Sequence, residues 1–190
     1  MRVACAGGTD LYRYRWDFAT DSGGMCSYRI YFTLNSLPSV AQDMVILTSA
    51  SGQGFKIQIT SANTFRLTNR VGATLGTYGT TLTAGTVYRA EVQVKKGTGT
   101  GDGQGAAQLY AGDSTSSLFT YGPVTNIDVG TTDWSQFQLG ENISGRTINV
   151  TFDDILLDNT IQTPLGPSLT ADPPPIRVAR RVALHRSRSY

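Results

Sequence analysis

Residues 43–60 read DMVILTSASGQGFKIQIT, and this stretch decides the fold. Two apolar runs, Asp43–Ser49 and Gly54–Thr60, flank the turn cluster Ser51-Gly52-Gln53-Gly54. In the second run Phe55, Ile57 and Ile59 alternate with Lys56 and Gln58. That period of two is the mark of a strand with one buried face, and the Gly-rich turn between the runs reads as a hairpin. The same period recurs on both sides. Ser27–Asn35, Thr64–Asn69, Thr86–Lys95, Ala106–Ala111, Gln136–Leu139 and Asn149–Leu157 all read as strands. Ser61-Ala62-Asn63, Ala84-Gly85 and a flexible Gly97–Gly105 stretch separate some of them. Arg2–Ala6 reads as a short strand and Leu11–Phe18 alternates weakly. No segment of about ten residues carries a helical stripe.

Composition agrees with β structure. Among 190 residues there are 21 Gly and 9 Tyr, and only 16% are charged. Helical proteins carry more Glu, Lys and Ala. Short strands with polar, Gly-rich turns imply a two-sheet antiparallel sandwich. The expected domain spans residues 1–166, long enough to bury a core without staples. Residues 167–190 read as a Pro-rich linker and an extended basic arm. Pro167 and Pro173-Pro174-Pro175 interrupt any ladder and favour an extended path.

The net charge of +2 is unevenly spread. Arg177, Arg180, Arg181, Arg186 and Arg188 face only Asp172 in residues 171–190, which leaves residues 1–170 slightly acidic. In the arm, Ile176, Val178, Val182 and Leu184 share one parity, so an extended chain shows an apolar edge beside a basic one. That mixture suits insertion into a protein groove or addition to a sheet edge. Nucleic acid is the lesser alternative, since the arginines lack interleaved aromatics. Cys5 and Cys26, the two cysteines, read either as small buried thiols or as a bridge, which requires Cα atoms within about 7 Å. Met1-Arg2-Val3-Ala4-Cys5 opens no apolar run, so no signal for independent secretion is expected, and no stretch reaches membrane-spanning length.

The order of landmarks carries a resemblance. A strand leads into Leu37-Pro38 and the 43–60 pair; Leu82–Val94 follows L-x-x-G-x-x-Y-R-x-E-V-x-V. Gln108-Leu109-Tyr110, Leu139-Gly140, Phe152-Asp153-Asp154-Ile155 and Gly166-Pro167 come after it. Over residues 27–167 the chain resembles the concanavalin A-like, laminin-G-like jelly-roll domains of bacterial and bacteriophage surface proteins. The resemblance implies a structural or adhesive module of a virion surface, in a tail or as capsid decoration. Such a module would assemble with other subunits, as a homo-oligomer or in a larger complex, and would bind host glycans. A free bacterial carbohydrate-binding module is the alternative, and a polysaccharide hydrolase or lyase stands behind both. Family domains often begin with a strand upstream of the point where this chain starts, so a sheet edge is expected to be open or completed by a neighbour.

Catalysis is not expected. Glycosidases need paired carboxylates, yet the glutamates, Glu91 and Glu141, sit in no E-x-D-x-x-E run, and the one histidine, His185, lies in the arm. Asp153-Asp154 is the adjacent acidic pair of the body, and one of the two is expected to face inward. It would either accept main-chain N–H groups from a crossing loop or bind calcium with help from Asp17, Asp21 or Asp133. No other cofactor is expected. Tyr12, Tyr14 and Trp16 share parity and form either a glycan-stacking stripe or a plug of the core or of a subunit contact. Trp134, within Thr131-Thr132-Asp133-Trp134, reads as an exposed loop aromatic and the first choice for sugar stacking.

Overall fold

A computed structural model describes residues 2–4, 14–17, 24–50, 52–99, 101–141, 143, 146, 149–158 and 166–167. Its strands, in chain order, are β1 (Arg2–Ala4), β2 (Tyr14–Asp17), β3 (Met25–Leu34), β4 (Gln42–Ser49), β5 (Gly52–Ile59) and β6 (Phe65–Thr68). They continue as β7 (Thr74–Thr77), β8 (Val87–Lys95), β9 (Gly103–Ala111), β10 (Ser117–Ile127), β11 (Trp134–Leu139) and β12 (Asn149–Asp158). All pairings are antiparallel. The first sheet runs β1-β12-β3-β8-β9-β10 and the second β2-β11-β4-β5-β6-β7. Among the described residues no helix is long and apolar enough to cross a membrane.

Period two in the sequence becomes two faces in space. From the first sheet, Tyr28, Ile30, Phe32, Ala90, Val92, Val94 and Leu109 turn inward; from the second come Val45, Leu47, Phe55, Ile57, Leu67, Phe137 and Leu139. Each large side chain so buried contributes about 1.5–3 kcal/mol. Along one side β7 and β10 close the sandwich, with Phe119 6.0 Å from Phe65 and 6.4 Å from Tyr78 between ring centroids. Gly76 lets the two rings lie close, since a Cβ there would stand 3.0 Å from Phe119 and 3.1 Å from Tyr121 and press them outward by a few tenths of an ångström.

Two strands have no counterpart in the sequence reading. β7 is only four residues long. β10 spans eleven, but it is an edge strand, mostly exposed, with three register shifts and Pro123 in its middle. Such a strand has neither a buried stripe nor an unbroken run of donors. The Gly97–Gly105 stretch is also more ordered than its composition implies. Its end enters β9, and the Asp102 carboxylate accepts the Thr98 hydroxyl at 2.6 Å and the Gly99 N–H at 2.9 Å.

Candidate functional site

The second sheet presents its polar alternates on the outer face. Across one row, Arg15 pairs with Gln138, Gln138 with Ile46, Ile46 with Lys56, Lys56 with Thr68 and Thr68 with Thr74. A neighbouring row runs Asp43, Gln58, Arg66, Thr77, and on the other flank Asp17 pairs with Gln136 and Gln136 with Thr48. Charged and amide groups thus stand at regular spacing over five strands.

Their hydrogen bonds fix their directions. Asp43 is fully buried; its carboxylate meets Lys56 Nζ at 3.4 Å and accepts from Gln58 Nε2. With the amide nitrogen of Gln58 committed to Asp43, its oxygen faces Arg66, which donates Nε at 3.0 Å and Nη2 at 2.8 Å. The negative charge therefore lies inside the row and the guanidinium toward its outer end. Gln138 donates to Gln136 at 3.0 Å, and Arg15 pairs with Asp17 at 2.8 Å on the exposed flank. The buried hydroxyl oxygens of Thr48 and Thr68 have no partner among the described residues, and orphans of this kind are completed by water, a ligand or another part of the chain. At one end of the face Glu141, 1% exposed, accepts the N–H of Asp43 and that of Ile143, each at 2.9 Å, with Arg146 Nη1 at 3.4 Å. Burial pushes its carboxyl above the usual glutamate range.

The outer face of the first sheet also carries buried charged groups. Arg89 is 1% exposed, paired with Glu91 at 2.8 Å, bonded to the carbonyls of Gly112 and Ser114, and laid 4.0 Å over the Tyr110 ring. The Y-R-x-E-V motif thus places Tyr88 and Val92 inward and a buried ion pair outward.

Several sequence expectations need correction. Trp134 is not an exposed loop aromatic: it opens β11, is fully buried, and donates its indole N–H to Gly24 O at 2.9 Å. Gly54 leaves it room, since a Cβ there would fall 2.1 Å from the indole. Neither member of Asp153-Asp154 faces the core. Asp153 is exposed and Asp154 half-buried, because a bulge between Asp153 and Leu156 breaks the alternation. Asp154 binds Arg29 at 2.9 Å, while Asp153 caps the N–H of Asp154 at 2.9 Å. The proposed calcium helpers are not gathered there, for Asp17 pairs with Arg15 and Asp133 with Lys96. No cluster of three metal-ligating side chains occurs among the described residues. Trp16 is half-buried, 5.9 Å from Phe137, and Tyr14, 48% exposed, pairs with Leu139. Cys26 is a free, buried thiol whose burial raises its pKa. Tyr12, Cys5, Asp21 and the arm residues Ile176, Arg177, Val178, Arg180, Arg181, Val182, Leu184, Arg186 and Arg188 lie outside the described residues.

No protein-family model matches the chain, and no curated protein matches it. Solved structures do. A Trypanosoma rangeli sialidase in complex with 2,3-difluoro-KDN superposes with a TM-score of 0.58 at 13% identity, over 82% of this chain and 25% of the sialidase. The fold is a jelly-roll sandwich. Weaker likenesses are an alginate lyase from Corynebacterium sp. (TM-score 0.48, 11% identity, 76% of this chain and 61% of that one). Another is the carbohydrate-binding module CBM66 from Bacillus subtilis (TM-score 0.47, 8% identity, 83% and 94%). The chain spans about a quarter of the sialidase it matches. The sialidase likeness overturns the expectation that the chain is not an enzyme as far as it rested on the fold: part of an enzyme chain shares this jelly roll. Identity at this level shows the fold alone, and none of the three matches supplies a virion context.

Proposed function

We propose that this jelly roll is a carbohydrate-binding module that engages its ligand on the outer face of the second sheet. The observation that carries the reading is the array of polar side chains across that face, in which Gln58 links Asp43 to Arg66, Gln138 bonds to Gln136, and Arg15 pairs with Asp17. Glycan hydroxyls both donate and accept, so they match planar amides and guanidinium forks held in fixed directions. Arginine adds affinity for carboxylated sugars through paired N–H donors. The Thr48 and Thr68 hydroxyls provide further unfilled partners. A test is calorimetric titration with alginate oligosaccharides, sialyllactose and a neutral glucan, with product analysis in the same samples to score turnover. Binding that falls at least tenfold in Arg66→Ala and Gln136→Ala supports the reading; equal affinity in both variants, or no binding to any probe, overturns it.

The arm adds a second element to the proposal. The shared parity of Ile176, Val178, Val182 and Leu184 beside the arginines supports docking on a protein partner, such as a neighbouring subunit of a virion surface. Deleting residues 173–190 tests it. Unchanged assembly together with salt-sensitive DNA binding by the full chain would transfer the arm to nucleic acid.

A further inference from the structure

Arg29 and Glu91 are direct cross-strand partners on the outer face of the first sheet, 6% and 4% exposed. Between them they hold one main-chain residue from the far side of β12. Arg29 Nη1 donates to Gly166 O at 2.9 Å, and Gly166 N–H donates to Glu91 Oε2 at 3.0 Å. Each of the two side chains is itself held from behind. Asp154 binds Arg29 Nη2 at 2.9 Å, and Arg89 binds the other oxygen of Glu91 at 2.8 Å. In a sheet, a residue exchanging both its N–H and its C=O with one partner is the ordinary paired unit of an antiparallel ladder. Here two side chains provide what a partner strand would provide.

A second observation points the same way. Two buried donors on this face have no acceptor among the described residues: Arg29 Nε and Gln93 Nε2. Gln93 follows Glu91 by one outward position on β8, about 7 Å along the strand. Two residues of extended chain cover that distance. Both orphans on this face are donors, so what completes the face must present acceptors. A proline-containing backbone does so, because its carbonyls accept while its ring nitrogens donate nothing. Pro167 follows Gly166 directly, and Pro173-Pro174-Pro175 lie a few residues further on.

We propose that the outer face of the first sheet is a seat for the chain's own C-terminal segment, clasped at Gly166 by Arg29 and Glu91. The seat reads backbone rather than side chains, and it requires a free N–H at the clasped residue. Gly166 also has φ +71°, which a β-carbon would strain. The clasp makes the arm depart from the first sheet, on the side opposite the polar grid. A protein partner taken by the arm then meets the first sheet and leaves the second sheet open, a consequence that rests on the carbohydrate reading; the clasp itself does not.

The experiment uses the full chain without any glycan, so its outcome is independent of that reading. With Cys5→Ser as background, spin labels at Ser168→Cys and Ala106→Cys report the distance to the first sheet, and Ser168→Cys with Thr74→Cys the distance to the second. A short, narrow distribution to position 106 and a long one to position 74 are expected. Gly166→Pro removes the clasped N–H without touching any strand, and it should broaden the first distribution. Glu91→Gln weakens the acceptor with little change of shape, and should speed exchange of the Gly166 amide by about tenfold or more, measured by NMR. An unchanged distribution in Gly166→Pro overturns the clasp, as does Gly166 exchange equal in Glu91→Gln and the parent. A short distance to position 74, or one seen only between differently labelled molecules, overturns the assignment of the seat to the chain's own segment.

Discussion

Glu141 accepts the main-chain N–H of Asp43 at 2.9 Å, from 98 residues further along the chain. Burial raises the Glu141 pKa above the ordinary value, and the nearby Asp43 charge raises it too, against the hydrogen bonds and Arg146 that lower it. A carboxyl with a raised folded-state pKa keeps its proton when the unfolded chain has lost its own. Its contribution is therefore most favourable below the unfolded value, and declines as the pH rises through the folded one. Urea denaturation from pH 4 to 7 should show this decline in the parent and a flatter profile in Glu141→Gln. Parallel profiles would refute it.

Trp134, the first residue of β11 in the second sheet, bonds to Gly24, just before β3 of the first. Trp134→Ala should cost about 3–5 kcal/mol of stability by removing a buried aromatic and leaving a cavity. Trp134→Phe should lose less, since it keeps most of the ring and forfeits the 2.9 Å bond to Gly24 O. Equilibrium denaturation measures both. A Trp134→Ala protein as stable as the parent would mean that the ring is at the surface after all.

Arg89 and Glu91 should be unequal to their surface counterparts. Removing either member of a buried pair leaves an uncompensated charge, and Arg89→Ala should cost about 3–5 kcal/mol. Arg15→Ala, which breaks an exposed pair, should change stability by about 1 kcal/mol or less. Comparable losses at the two positions would contradict the burial that separates them.

Calcium should leave the melting temperature unchanged to within about one degree, because the Asp154 carboxylate is occupied by Arg29 at 2.9 Å. Thermal scans with excess calcium and with chelator check this. A rise of several degrees that vanishes in Asp154→Asn would show that the ion displaces the guanidinium.

The alternation of Phe55, Ile57 and Ile59 with Lys56 and Gln58 is a local property, and a local property is all a strand with one buried face requires. That is why the sandwich, and which side chains line its core, could be read along the chain. Where a strand lies at an edge, as β10 does, there is no buried stripe to read, and Leu118 is left 39% exposed. Trp134 misled for the opposite reason: Thr131-Thr132-Asp133 has turn composition, but the position of the ring is set by Gly24, just before β3, and by Gly54 in β5. Parity in the sequence determined that Gln58 and Arg66 point away from the core, whereas Asp43 shares the parity of the inward Val45 and Leu47 and is turned outward by the register shift between Asp43 and Val45. Only the register of β4, β5 and β6 decided that Asp43, Gln58 and Arg66 stand in one row and bond to one another. The same holds for Asp43 with Glu141, and for Arg29 and Glu91 with Gly166. Their separations in the chain are large, and a contact between distant residues depends on strand order and register, which no local pattern encodes.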